Sequence, residues 1–220
     1  MTQSWSRMTR WLSECGERFG TVLDLPLRHP NDELRKLLRP DTRVLDIGAG
    51  AHRPMQKTWN LPRERYTTLD ADPEGEFDFR SFDEMPATLL FDLIVANQVL
   101  EHLTVPEAQE IVEQAIRHLA VDGHFVATVP NAAHPVRQRD PNHITPWPMG
   151  HLYGLFREAG FAVPVLGRYN KFPFPRNPIK RFIVNVVCET FRVDWCDSLV
   201  IVGRKPNGDG PRVAQGLSPA

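Results

Sequence analysis

Asp46, Gly48, Ala49 and Gly50 stand where the apolar run Val44–Ile47 gives way to a glycine-spaced turn. A carboxylate at a strand end can accept from an ammonium or from hydroxyls, and glycine lets the backbone approach a ligand with no Cβ in the way. Twenty residues past Gly50, Asp70 closes a second β-rich segment, and Asn97 follows a third, FDLIVA. Alone, Asp46 reads equally well as a turn cap and Asp70 as an exposed loop acid. Together, at adjacent strand ends, they suit a cofactor presenting both an amine and ribose hydroxyls. A dinucleotide fingerprint would place a third glycine at Arg53, which weakens the pyrophosphate alternative. Glu101 and His102 lie just beyond Asn97, and His143 sits in RDPNHITPWP. A histidine or a carboxylate there can move a proton near neutral pH, although His102 fits a helix-start packing role as well. His134 and His151 read as solvated or helix-capping, and Asp92 as a structural residue at a strand start.

These residues need strands to carry them, and the chain supplies them in alternation with helices. Strands are expected at Arg43–Ile47, Tyr66–Leu69, Phe91–Ala96, Phe125–Val129, Phe161–Leu166 and Ser198–Val202, the third continuously apolar as in a sheet covered on both faces. Trp5, Met8, Leu12, Cys15 and Phe19 recur at helical spacing, and a short helix is expected over Asp32–Leu38. Thr104 and Glu107 form a capping box ahead of Ala108, Ile111, Val112, Ala115, Ile116 and Leu119. Asp122-Gly123 is expected to turn the chain into the fourth strand. A further helix starts at Thr145-Pro146, bears Met149, Leu152, Phe156 and Ala159, and stops at Gly160. The alternation predicts a doubly wound α/β sheet whose ligands bind beyond the carboxyl ends of the strands, where Asp46, Asp70, Asn97 and Asn131 all fall.

Taken together, DIGAG, Asp70, FDLIVANQVLEHL, DGHFVATVPN and REAGF resemble the class I S-adenosylmethionine-dependent methyltransferases over roughly Arg43 to Leu166. The resemblance implies a mostly parallel, seven-stranded, Rossmann-like sheet with helices on both faces, and S-adenosyl-L-methionine as cofactor. It implies that Asp46, Gly48, Ala49 and Gly50 form the cofactor loop, with Asp46 near the methionyl ammonium. Asp70 would take the ribose hydroxyls, Ala71 would flank the adenine, Asp78 and Phe79 would meet its edge, and Asn97 would line the methionine end. Glu101, His102 and His143 are the candidate catalytic residues. A subset of the family, which includes ubiquinone-pathway O-methyltransferases, carries Glu-x-x-Glu-His and a later histidine around a divalent metal. Here Gln98 replaces the first carboxylate and removes charge that a hard cation favours, so no metal is expected.

Composition narrows the partners. In 220 residues, 26 Lys plus Arg face 27 Asp plus Glu, a formal charge of -1 that gives no global pull on nucleic acid. DNA is therefore not an expected partner. Three scattered cysteines make no disulfide framework, and there is no signal-like or membrane-spanning apolar run, so a soluble cytoplasmic chain is expected. The domain plan is a helical cap over 1–40, a methyltransferase domain over 41–203 with a substrate-cover insertion near 168–192, and a disordered tail over 204–220. Within the insertion, Arg168, Lys171, Arg176, Lys180 and Arg181 alternate with aromatics and no acid up to Phe182. Such a run suits an anionic substrate, an acidic membrane surface or stacked bases. The expected activity is methyl transfer to a small molecule, at oxygen rather than nitrogen, the acceptor being a sugar, a phenol or a lipid-linked intermediate. Two alternatives are a catalytically inactive cofactor-binding accessory subunit and an RNA methyltransferase.

Overall fold

The computed structural model describes residues 5–135, 140–170 and 177–207. Its six strands are β1 (Val44–Ile47), β2 (Tyr66–Leu69), β3 (Phe91–Asn97), β4 (Leu119–Pro130), β5 (Ala162–Tyr169) and β6 (Ser198–Arg204). The helices are α1 (Trp5–Phe19), α2 (Pro30–Leu37), α3 (Pro54–Trp59), α4 (Val105–Arg117), α5 (Met149–Glu158) and α6 (Pro178–Phe191). They build one sheet of order β2-β1-β3-β4-β6-β5, parallel except that β6 runs antiparallel to β4 and β5.

Strand alternation sorts the apolar residues to two faces. Leu45, Ile47, Ile94, Phe125 and Ala127 meet α4 and α5 on one side, joined by Trp11 and Cys15 of α1. Val44, Tyr66, Leu93, Val95 and Val126 face Leu34, Met55 and Trp59 on the other. Helix α1 buries Met8, Trp11 and Cys15, while Leu12 stays partly exposed. Its attachment to α5 is polar as well as apolar, because Trp11 Nε1 donates to Glu158 at 2.6 Å and Tyr153 Oη donates to Glu14 at 2.5 Å. The capping box forms as the spacing predicts: the Thr104 backbone N–H and hydroxyl both donate to the Glu107 carboxylate.

Two expectations are corrected, and a third region gains structure. Among the described residues the sheet has six strands rather than seven, and where another would lie beside β2 there is a single parallel bridge, Leu69 to Phe79. The segment from Asp70 to Glu76 is rich in Asp, Pro and Gly and sustains no longer ladder. The Asp78 carboxylate takes over part of the pairing by accepting from the Thr68 N–H and hydroxyl, each at 2.8 Å. Second, Asp122-Gly123 lies inside β4, which begins at Leu119; Asp122 adopts a left-handed φ of 59° and the β3–β4 register shifts there. An Asp-Gly pair serves a bulge as readily as a turn. Third, part of the expected substrate cover is the helix α6, begun by Asn177, whose side chain accepts from Ile179 N and Lys180 N. Lys171 to Arg176, the middle of that basic run, and residues 208–220 of the expected tail lie outside the described residues. Among the described residues no helix is long and apolar enough to cross a membrane.

Candidate active site

The carboxyl ends of β1, β2, β3 and β4 surround a cleft whose floor is the Gly48 turn. Gly48 has φ +67°, its N–H donates to Leu69 O at 2.8 Å, and a Cβ there would stand 2.5 Å from Val99 Cγ2. Only glycine satisfies both the left-handed backbone and that approach. Gly50, at φ +62°, donates its N–H to Asp70 Oδ2 at 2.9 Å, tying the first strand end to the second. At the place of the missing third glycine, Arg53 itself adopts a left-handed φ of 45°, caps α3 and donates to Glu76 O at 2.5 Å.

Two cavities open on either side of this turn, and Gly48 lines both. One of about 490 Å³ is bounded by Asp46, Ala49, Gly50, Trp59, Asn97 and Thr128. The other, about 560 Å³, is bounded by Asp70, Ala71, Phe82, Val99, His102 and Leu103. A long amphiphile with an amino-acid end and a nucleoside end would cross between them over a floor with no Cβ.

Each side has its own electrostatics. Asp46 is 4 % exposed and accepts from the Tyr66 hydroxyl. Burial pushes its pKa up to about 6, against the Tyr66 hydrogen bond and with help from the Asp70 charge. Asn97 is held by Thr128, whose hydroxyl donates to Asn97 Oδ1 at 2.7 Å. Gln98, in a left-handed conformation at φ 56°, gives its Nε2–H to Thr128 Oγ1 at 3.2 Å. Asp70 accepts from Gly50 N and Asp72 N, which leaves lone pairs on both oxygens for a ligand. Asp78 and Phe79 line neither cavity. Asp78 is engaged by Thr68 and Arg63, which together overcome its partial burial and hold its carboxyl below the usual range. Arg80, Ser81 and Phe82 line the second cavity.

Beyond Gln98, the short helical turn Leu100–His102 presents the candidate catalytic group. The loop carrying His143 is fastened to it: Ile144 N and Thr145 N both donate to Glu101 O, at 2.8 and 3.0 Å, and Trp147 Nε1 donates to Leu100 O at 3.0 Å. His102 and His143 meet edge to face with centroids 4.9 Å apart. His102 Nδ1 lies 3.2 Å from Asn142 O, so a neutral ring donates there and leaves Nε2 as acceptor. Glu101 is 1 % exposed, and both its carboxylate oxygens are buried with no hydrogen-bond partner among the described residues. Burial, aided by the Asp140 charge and opposed by its own backbone N–H, pushes its pKa up to about 7. Donor atoms on Glu101, His102 and His143 lie within 4.8 Å of one another, a spacing a divalent ion could bridge. Gln98 adds no donor to this set, its amide being turned to Thr128.

A family model described as a methyltransferase domain matches residues 16–164. The chain belongs to this methyltransferase family. S-adenosyl-L-methionine is its cofactor. No curated protein matches the chain. Among solved structures, this methyltransferase resembles a SAM-dependent methyltransferase from Archaeoglobus fulgidus, with TM-score 0.59 and 16% identity over 79% of this chain and 90% of that one. It also resembles the methyltransferase in a complex with the Haloferax volcanii Trm112 methyltransferase activator, with TM-score 0.59 and 16% identity over 94% and 99% of the two chains. A third resemblance, to the [4+2]-cyclase SpnF, has TM-score 0.55 and 17% identity over 94% and 84%. At such identities these likenesses establish the fold alone.

The methyltransferase also uses residues the sequence reading missed or placed differently. Arg168, expected in a substrate-gripping cluster, is committed to structure: Nη1 donates to Asp194 Oδ1 at 2.9 Å and Nε donates to Leu25 O at 3.0 Å. Asp194 is fully buried and also accepts from Asn131 Nδ2 and Cys196 N. That network joins the end of β4 to the approach to β6. Thr128 and Asp194 carry little local sequence signal, since the side chains they hold, Asn97, Arg168 and Asn131, lie dozens of residues away. Asp92 accepts from Arg43 N at 2.8 Å, a strand-start role.

Proposed function

We propose that this methyltransferase methylates an oxygen of a small-molecule acceptor, anionic or carried on a lipid, with Glu101 as the group that takes the hydroxyl proton. The observation that carries the reading is Glu101 itself, a buried carboxylate neither of whose oxygens has a hydrogen-bond partner among the described residues. Leaving such a group unpaired costs on the order of 1 to 3 kcal/mol, a cost that function can justify. A carboxyl with pKa about 7 is poised to exchange a proton near neutral pH.

When bound, S-adenosylmethionine supplies a methyl group already activated on a sulfonium. In this reading Asp46 and Asn97 receive its methionyl end and Asp70 its ribose, while Ala71 flanks the base and Gly48, Ala49 and Gly50 form the floor. The Tyr66 and Thr128 hydroxyls position Asp46 and Asn97. His102 lines the cavity that also holds Asp70, whereas Glu101 and His143 line a smaller one of about 40 Å³ beside Pro130 and Ala132. The three side chains thus stand between the cofactor cleft and the acceptor side. There His102 and His143 orient the acceptor hydroxyl and Glu101 accepts its proton. No metal is invoked, because the Gln98 amide is occupied by Thr128 and leaves the set one carboxylate short. An RNA acceptor draws less support, because Arg168 is locked to Asp194 and the overall charge is near neutral.

The test is production of S-adenosylhomocysteine by the purified protein with phenols, sugars and lipid-linked glycans, compared with amine acceptors. Glu101→Gln should lower kcat by about 10²- to 10⁴-fold with cofactor affinity unchanged. Turnover with amines alone, or an unimpaired Glu101→Gln enzyme, refutes the assignment.

A further inference from the structure

Helix α6 is built the wrong way round for a helix of the core. Ile179, Phe182, Ile183 and Val186 follow one another at i, i+3, i+4 and i+7, which makes a single stripe. They are 69, 68, 55 and 44 % exposed. Cys188, the buried residue of the helix, comes nine positions after Ile179 and so emerges on the opposite side at 3.6 residues per turn. The helix is therefore anchored by its back and turns its apolar face outward.

Its location ties it to the active site. α6 leaves the sheet at Tyr169 and returns at Ser198, two residues that pair with each other, and Ser198 also pairs with Pro130 at the end of β4. Pro130 and Ala132 line the small cavity with Glu101 and His143. The exposed stripe thus stands at the end of the sheet where the chemistry is placed.

Charge selects the occupant. Lys180 and Arg181 are exposed on the first turns of α6, and no acidic residue occurs from Arg168 until Glu189. An apolar stripe flanked by Lys180, on a stretch without acids, matches a layer of acyl chains beneath anionic headgroups, whereas Arg181, seven positions before Cys188, shares the anchored side. Four side chains offer on the order of a few hundred Å², less than the roughly 600 Å² that each partner buries in a stable protein interface.

We infer that α6 is an interfacial helix that seats the methyltransferase on an anionic membrane surface, with the active-site end of the sheet turned toward the bilayer. The inference draws on the proposed function at one point: docking of this kind brings lipid-linked acceptors within reach. Vesicle binding requires no turnover, so docking and acceptor choice fail separately.

The full chain is mixed with vesicles of phosphatidylcholine alone or with phosphatidylglycerol, and bound protein is read by co-sedimentation. It should pellet with the phosphatidylglycerol vesicles and release at high salt. A Phe182→Asp/Ile183→Asp variant should lose about tenfold or more in partitioning. Lys180→Gln should lose roughly fivefold, and Arg181→Gln, on the anchored side, less. Circular dichroism and cofactor affinity like those of the parent show that a variant is folded. The inference is overturned if the parent fails to pellet, if it pellets equally with neutral vesicles, or if the stripe variant binds undiminished. It is also overturned if light scattering reveals a dimer, or a complex with a protein activator, that the stripe variant dissociates.

Discussion

Replacing Glu101 by Gln is expected to stabilise the protein while disabling it. Burial raises the Glu101 pKa from the ordinary 4.5 to about 7. At about 1.4 kcal/mol per pH unit, ionising it in the folded state costs roughly 3 kcal/mol. The sign follows from proton binding: between these two values the folded chain holds the proton more tightly than the unfolded chain. Stability from this group is therefore full below pH 4.5 and is lost as pH rises to about 7. Glutamine keeps the shape and never ionises, so Glu101→Gln should match the parent near the low end of that window and exceed it by up to about 3 kcal/mol above the high end. Urea unfolding at several pH values, read by tryptophan fluorescence, gives the difference directly. Activity should move the other way, with S-adenosylhomocysteine production down about 10²- to 10⁴-fold above pH 7 and the gap narrowing as pH falls below about 7, where the parent's own carboxylate takes up a proton. A stability difference that does not change with pH would refute the claim that this carboxyl is desolvated and unpartnered.

Gly48→Ala should sharply weaken S-adenosylmethionine binding in calorimetry, because its Cβ would meet Val99 Cγ2 at 2.5 Å; Val99→Ala in the same chain should restore part of it, the φ of +67° remaining. Cofactor affinity should fall as pH drops through about 6, where the Asp46 carboxylate takes up a proton, and Asp46→Asn should bind weakly with that dependence gone. Arg168→Met leaves Asp194 buried without its cation, so the midpoint of urea unfolding should fall by an amount equivalent to about 3 kcal/mol, while KM in the surviving folded protein stays near the parent's. Dialysis against a chelator should leave turnover unchanged, and a loss restored by added divalent ion would give Glu101, His102 and His143 a different role.

Much of the fold was legible because strand and helix periods are local properties. Val44–Ile47, Tyr66–Leu69 and the capping box at Thr104 formed where their patterns placed them. Legibility failed where one local signal serves two structures. Asp122-Gly123 reads as a turn but is a bulge within β4, and the helical repeat at Ile179, Phe182, Ile183 and Val186 is interleaved with cations that equally suit a basic loop. It failed again where a strand was implied by resemblance, since the Asp-, Pro- and Gly-rich stretch after Asp70 supports only the bridge at Phe79.

At the candidate site, sequence by itself determined which atoms are available and at which strand ends: a glycine turn after Asp46, acids at two neighbouring ends, and a carboxylate with two histidines beyond the third. Tertiary structure decided their states. Tyr66 meets Asp46 across 20 residues, Thr128 holds Asn97 across 31, and Asp194 captures Arg168 across 26. The loop of His143 is pinned to the Glu101 carbonyl, while the Glu101 carboxylate oxygens have no hydrogen-bond partner among the described residues. A residue's identity fixes its donors, acceptors and ordinary pKa, but desolvation and pairing depend on what packs against it, and packing is set by residues remote in the chain.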